Sequence, residues 1–336
     1  SALILAVLVT GIVASLAVGI AQAFMLDVAR IENRQAGMLA QQYLLAAEDM
    51  AVLVLLQDQA QSTADHLLED WARVLPALPV EQGQGQVPGM VELRIEDAQG
   101  RLNLNSLAER KPGIADIGLP LEQRFTLAQQ LFIQLLQGFE SPALSEAQAM
   151  ALTEALIDWI DEDDEVLGFG GAESLYYIND QPSQAAPNRP LQSLGELAAL
   201  RHMRPELLKQ LQALVVVLPE PTALNLNTAL PPLLDSLADI AASGPGLVPL
   251  LQARQAQQPF SSLEELADLP ELAKLQHSSG EALPLAVASH YFLLQARVMQ
   301  GSTERSLESL LWRGENELRV LTRRFGSAWE HSMPWQ

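Results

Sequence analysis

An unbroken apolar segment opens the chain and governs the pattern of its first sixty residues. Residues 1–24 contain no charged side chain, and a helix of that length is on the order of 36 Å long, enough to cross a bilayer core. Residues 25–57 keep apolar side chains at helical spacing among polar ones. The segment lacks the basic region and cleavage site of a removable signal. We therefore expect a retained anchor, already processed, whose helix continues into solvent.

Two other regions alternate apolar and polar residues, which is typical of half-buried strands. In the first, Val91, Leu93 and Ile95 alternate with charged residues, and turn residues at 97–100 lead to a possible second strand at 101–104. This pattern predicts a hairpin. Three further strands are predicted at 289–298, 307–313 and 317–324. We expect the two regions to share one sheet, with a helical body inserted between them.

The region between the strands has helical periodicity and contains a short duplicated pattern. Helices are predicted at 60–74 and across 121–160, where Ser145 is a candidate N-cap. The string LNLNS at residue 102 resembles LNLNT at residue 224, and LQSLGELAAL at residue 191 resembles FSSLEELADL at residue 260. Two matched pairs in the same order predict two related subdomains. Asparagine side chains in such strings are suited to bonding nearby backbone.

The composition excludes several classes of chemistry. The 336 residues include no Cys, so disulfides, thiolate metal sites and a cysteine nucleophile are excluded. The net charge of -21 repels phosphate backbones and disfavours nucleic-acid binding. The five His follow no HExxH pattern, and no Gly-x-Ser-x-Gly string occurs, so catalysis is disfavoured. The same acidity attracts divalent cations.

An acidic string at residues 158–165, followed by Glu173, is the sharpest local feature. So many carboxylates in one loop repel one another unless solvent or a cation compensates them. The spacing excludes an EF-hand, because Val166 stands where that loop requires Gly when the count starts at Asp161. Two interpretations stay open at this point, which are a calcium-binding loop and a solvated acidic loop at a helix end.

The strings ALIDWIDEDDE and GAESLYY, the apolar first helix and the two Asn-Leu-Asn strings together resemble the type II secretion minor pseudopilin K family. This family lies within the type IV pilin-like class, and the resemblance covers essentially the whole chain. It implies an α+β fold with a long N-terminal helix and an antiparallel sheet, interrupted by a large helical SAM-like insertion. The implied divisions are 1–24 (membrane helix), 25–104 (helix continuation and first strands), 105–218 (insertion with the acidic loop), 219–283 (second helical subdomain) and 284–336 (last strands).

The resemblance also implies a function and a location. The chain would be a non-enzymatic subunit at the tip of the pseudopilus, which starts assembly and supports export of folded proteins across the outer membrane. Its partners would be the minor pseudopilins I and J, through them the H subunit and the major pseudopilin G, and a prepilin peptidase during maturation. It would cross the inner membrane of a Gram-negative bacterium once, with most of the chain in the periplasm. The alternative is a stand-alone, membrane-anchored calcium-binding adhesin or receptor in the periplasm.

Site residues follow from the resemblance by position. Calcium is the implied cofactor, with ligands expected among Asp161, Asp163, Glu165, Glu173, Asp164, Asp180 and Asn188. Ser1 would be the methylated N-terminal residue. Leu5 stands where most pilin-like subunits carry a Glu that pairs with the N-terminal amine of a neighbour. A subunit without that carboxylate is suited to the end of the stack.

Overall fold

The computed structural model describes residues 2–73, 77–80, 89–108, 119–179, 185–242, 246–273, 284–300, 303–315 and 317–326. Its helices are α1 (Ala2–Gln59), α2 (Leu121–Arg124), α3 (Leu127–Gln137), α4 (Glu146–Ile160), α5 (Ser174–Ile178), α6 (Pro205–Leu211), α7 (Pro231–Ile240), α8 (Leu247–Gln257) and α9 (Leu263–Ala267). Its strands are β1 (Leu78–Val80), β2 (Gly89–Asp97), β3 (Leu102–Asn103), β4 (Val215–Val216), β5 (Leu224–Asn225), β6 (Leu285–Ala286), β7 (Tyr291–Gln300), β8 (Thr303–Arg313) and β9 (Leu318–Gly326). The fold is therefore α+β, as predicted.

Helix α1 divides into an exposed half and a packed half. Residues 2–35 are exposed along their whole length, and by length and composition this part of the helix could cross a membrane. From Ala40 onward the buried positions recur every three or four residues, at Leu44, Ala51 and Leu55 among others. That spacing forms one apolar stripe. The predicted continuation of the helix beyond the apolar segment is confirmed.

The stripe of α1 packs on an antiparallel sheet with the strand order β1-β2-β7-β8-β9. Val91 and Ile95 of β2 pair with Val298 and Leu294 of β7. Strands that precede and follow the helical body in the sequence are therefore neighbours in the sheet. Their inward side chains form one core with the α1 stripe. The prediction of a single shared sheet is confirmed.

Two predicted elements are wrong. The strand near residue 102 does not form a hairpin with β2, because β3 pairs in parallel with β4 instead. Leu102 already donates its backbone N–H to Leu214 where this pairing begins. Residues 60–73 form turns and a short 3-10 helix, Asp70–Ala72, rather than the predicted α-helix, and residue 74 lies outside the described residues. Here Ser62 and Glu69 bond nearby backbone groups, which competes with helix formation.

The duplicated strings build two units with the same construction. In the first unit Asn105 forms a bidentate clamp on the backbone of Leu191, accepting from its N–H at 2.8 Å and donating to its C=O at 3.1 Å. In the second unit Asn227 clamps Phe260 in the same way, at 2.8 and 2.9 Å. Each unit closes with a short parallel strand pair, β3 with β4 and β5 with β6. The duplicated strings thus occupy equivalent places in two similarly built units.

A buried carboxylate joins the sheet to the second unit. Asp97, the last residue of β2, accepts hydrogen bonds at Oδ2 from Thr228 Oγ1 at 2.6 Å, Ser289 Oγ at 2.7 Å and Asn225 Nδ2 at 2.9 Å. Burial raises the pKa of Asp97 to about 6 against these stabilising bonds. The carboxyl therefore ties three separate segments to one point.

A second acidic junction lies at the end of α1. Arg313 contacts Asp58 at 3.2 Å and Asp65 at 2.5 Å, while Glu69 brings a third carboxylate within 4.8 Å of these two. One guanidinium thus pairs with two of three clustered carboxylates, while Glu69 accepts hydrogen bonds from the His66 N–H and the indole N–H of Trp71. Burial, followed by the charges of Glu69 and Asp65, raises the pKa of Asp58 to about 7 in spite of Arg313.

Removing one clamp tests whether the asparagines hold the units together. Asn105→Ala leaves the buried N–H and C=O of Leu191 unpaired, and we expect a loss of about 3 kcal/mol in unfolding free energy. Denaturant titration of the full chain measures it. The exposed Asn179→Ala serves as the matched control, with an expected change below about 0.5 kcal/mol. Equal effects of the two variants would contradict the clamp.

The two raised carboxyl pKa values predict an unusual pH dependence of stability. Asp58 and Asp97 bind protons more tightly in the folded chain than at their ordinary pKa of 3.8. The folded state therefore holds more protons between about pH 4 and 7, so stability rises as the pH falls through that window. Melting temperatures measured with a chelator present should show this rise. Asp58→Asn should reduce the slope, whereas the exposed Asp49→Asn should leave it; an unchanged slope in Asp58→Asn contradicts the prediction.

Candidate metal centre

Helix α4 supplies a stripe of carboxylates that organises the acidic loop. It starts with a capping box between Ser145 and Gln148, which confirms the predicted N-cap. Near its C-terminus, Glu154, Asp158 and Asp161 follow at intervals of four and three residues. That spacing places the three side chains on one face. Glu154 and Asp158 are buried, and Asp161 is the C-cap residue.

The loop after α4 folds back onto this stripe. Asp158 Oδ2 accepts the N–H of Leu167 at 3.1 Å, and Glu154 Oε2 accepts the N–H of Gly170 at 2.7 Å. Arg124 donates a hydrogen bond to the other oxygen of Glu154 in a buried ion pair. Two carboxylates of the stripe are thus occupied in holding the loop backbone, and the loop is fixed against the helix.

Two glycines allow this close approach. Gly168 has φ of 58°, a conformation that residues with a Cβ rarely adopt. A Cβ on Gly168 would also collide with the carboxylate of Glu154, and one on Gly171 would collide with that of Asp158. Larger residues at either position would push the loop away from α4.

The turn of the loop brings together Asp161, Asp163 and Glu173. One carboxylate oxygen from each lies within 4.8 Å of the others. Both carboxylate oxygens of Asp161 and of Glu173 are buried, while Asp163 is exposed. Asn188 donates from Nδ2 to the backbone C=O of Asp163 at 2.6 Å, and its buried Oδ1 has no hydrogen-bond partner among the described residues.

The remaining predicted site residues are placed differently. Asp164 is exposed, and its Oδ1 accepts from Asn188 Nδ2 at 3.3 Å. Glu165 is also exposed; its backbone N–H donates to Asp163 Oδ1 at 2.7 Å, and its carboxylate lies outside the group of three. Asp180 and Ser1 lie outside the described residues. Leu5 lies on the exposed half of α1.

Aromatic packing and a cation fix the far side of the loop. The rings of Trp159 and Tyr177 meet edge to face, with centroids 4.9 Å apart. Arg201 lies over the ring of Tyr176 and donates to the C=O of Gly171 at 2.8 Å. These contacts hold the segment that carries Glu173 against the helical core.

The donor set suits a hard divalent cation. Three carboxylates converge, the side chain of Asn188 bonds the backbone of one of them, and oxygen ligands in an irregular loop are what calcium prefers. The alternative of a solvated acidic loop fits poorly, because Asp161 and Glu173 turn their oxygens away from water. Like charges brought this close and buried require a compensating cation or protons.

Some functional side chains were not predicted from the sequence. Glu154 was not singled out, and Asp158 begins the acidic string but was not assigned this role. Both shape the loop rather than join the group of three, and their spacing from Asp161 on one helical face was the available signal. Arg124 and Arg201 come from distant segments. Nothing in their local sequence indicates these partners.

Comparisons with known proteins show which family this chain belongs to. Residues 100–220 match the family model described as type II secretion system (T2SS), protein K. A type II secretion system protein K from Klebsiella pneumoniae is 31% identical over 297 residues, covering 86% of this chain and 85% of the relative. The chain belongs to the type II secretion system protein K family. A family member from Pseudomonas aeruginosa is 29% identical over 332 residues, covering 97% of this chain and 92% of the relative.

A solved structure shows that the likeness to the protein K family extends to the fold. A chain in the crystal structure of the GspK-GspI-GspJ complex from the enterotoxigenic Escherichia coli type 2 secretion system superposes with a TM-score of 0.72. The sequence identity is 26%, and the match covers 89% of this chain and all of the other. Membership of the protein K family makes this chain a minor pseudopilin, a structural component of type II secretion, which fits the absence of a catalytic motif.

Calcium should stabilise the chain through the group of three carboxylates. Saturating calcium, at about a hundredfold above its dissociation constant, adds roughly 2.7 kcal/mol to folding stability. We expect a melting temperature several degrees higher with calcium than with a chelator. Glu173→Gln and Asp161→Asn should remove most of that difference.

The exposed Glu162→Gln, in the same loop, serves as the control and should keep the full calcium response. An equal loss in Glu162→Gln would indicate a diffuse charge effect. A wild-type melting temperature indifferent to calcium would contradict the metal centre.

Proposed function

We propose that this minor pseudopilin is a non-enzymatic tip subunit of the pseudopilus, which starts fibre assembly together with the minor pseudopilins I and J. In this role it supports export of folded proteins across the outer membrane. The observation that carries the proposal is the superposition on a chain of the GspK-GspI-GspJ complex over 89% of this chain. The H subunit and the major pseudopilin G join through I and J.

The exposed half of α1 supports a membrane-anchored, fibre-forming subunit. Side chains such as Leu3 and Ile20 expose 80% and 70% of their surface, which water disfavours. A bilayer covers this surface before assembly, and neighbouring helices cover it in the fibre. We place the anchor in the inner membrane and the sheet and helical units in the periplasm. A prepilin peptidase would process the chain and methylate Ser1.

Leu5 supports a position for this subunit at the end of the fibre. A subunit with Leu5 offers no carboxylate to the N-terminal amine of a successor, whereas its own amine can still meet a partner's carboxylate. The helical units, which interrupt the sheet-forming sequence between β2 and β7, add bulk that also disfavours a successor. Calcium at Asp161, Asp163 and Glu173 keeps the first of these units ordered in the periplasm.

Assembly with I and J tests the proposal. The full chain, co-expressed with the minor pseudopilins I and J of the same system, should co-purify with both at concentrations on the order of micromolar. Leu5→Glu should alter the number of fibres, because it supplies the carboxylate that a successor can use. Leu5→Gln adds polarity without charge and should behave like the wild type.

A stand-alone calcium-binding adhesin or receptor predicts different results. In that case no stable complex with I and J forms in calcium, and Leu5→Glu leaves fibre assembly unchanged. Either result would overturn the tip assignment.

A further inference from the structure

A cavity of about 340 Å³ opens between the first half of α4 and the segment that leads into α6. Its apolar lining includes Leu144, Ala147, Leu152 and Met203. This volume is at the small end of the range for ligand sites, about 300–1,000 Å³. The cavity therefore suits one or two apolar side chains of a bound polypeptide.

The rim of the cavity carries positive charge. Arg204 lines it, and its guanidinium makes no ion pair or hydrogen bond among the described residues, although acidic side chains outnumber basic ones 41 to 20 in the chain. Ala147 and Gln148 belong to the first turn of the 15-residue α4, where the helix dipole is positive. An anion at the rim would meet both.

The wall opposite α4 is held in a strained conformation. His202 has φ of 70°, which is uncommon for a residue with a side chain and often marks a functional position. Its Nε2 lies 3.2 Å from the C=O of Gly170, and Arg201 bonds the next carbonyl, that of Gly171. Burial, aided by the charge of Arg201, lowers the pKa of His202, so its ring is neutral at pH 7. The cationic partner for an anion is therefore Arg204.

We propose that this cavity binds the C-terminal residue of a partner polypeptide, with the apolar side chain of that residue in the cavity and its carboxylate paired with Arg204. The apolar lining takes the side chain, and Arg204 with the first turn of α4 takes the carboxylate. Glu146 and Glu206, in the first turns of α4 and α6, are exposed. Their charges favour ligands with a single carboxylate over strongly acidic segments.

N-acetyl-leucine is the probe, because it presents one apolar side chain beside one carboxylate. The full chain is reconstituted in lipid nanodiscs with labelled methionine methyl groups, and the Met203 signal is assigned by Met203→Leu among the 8 Met. We expect a saturable shift of that signal with a dissociation constant on the order of 1 mM, as befits so small a ligand. N-acetyl-leucinamide, without the carboxylate, should bind roughly tenfold more weakly.

Variants separate the two halves of the site. Arg204→Ala should weaken binding about tenfold, and Arg204→Lys should retain most of it because the charge remains. Ala147→Leu, at an exposed helical position, should fill the cavity and block binding. The exposed Arg305→Ala, on β8, is the matched control and should bind like the wild type. Melting temperatures confirm that each variant is folded.

Three results would overturn the proposal. They are no saturable shift, equal binding of the acid and the amide, and undiminished binding in Ala147→Leu. A peptide with a C-terminal leucine and one with an internal Asp-Leu pair then distinguish a chain terminus from an internal carboxylate. None of these measurements depends on calcium or on fibre assembly.

Discussion

Backbone groups that are buried outside helices and sheets must still find partners, and two asparagines meet this demand for the helical body. Asn105 and Asn227 each take both backbone groups of one distant residue, Leu191 and Phe260. Because both groups of each pair are satisfied at once, the position of the incoming segment is fixed in distance and in orientation. The one hydrophobic core that the two units share is then assembled around these points, and Asp97 attaches the second unit to the sheet.

The candidate metal centre follows from the same requirement that buried polar groups have partners. Glu154 and Asp158 pair with loop backbone and with Arg124, so their burial is compensated within the protein. Asp161 and Glu173 bring further buried carboxylates to the same place, where repulsion between them opposes folding. A cation at that point would convert this repulsion into a cross-link between the end of α4 and the start of α5.

The sequence was sufficient for features whose cause is local. Helical spacing predicted the extent of α1, and alternation predicted β2 and β7–β9. Of the seven metal ligands expected from the family resemblance, Asp161, Asp163 and Glu173 converge. It failed where distant partners decide the outcome. Leu102 and Asn103 pair with Val215 and Val216 rather than with β2. Residues 60–73 form turns, with bonds such as that from the Asp65 N–H to the Val287 C=O, instead of the predicted helix. Arg124 and Arg201 likewise reach the loop from segments with no local signal.

The clamps also determine where the chain can change its length over evolutionary time. The ends of the first clamp are 86 residues apart in sequence, against 33 for the second, and the additional residues include α4 and the acidic loop. Both units nevertheless close with the same pair of bonds and the same short parallel strands. Insertions between the ends of a clamp leave its geometry intact, so one unit could acquire a loop of new chemistry while its counterpart kept the compact form.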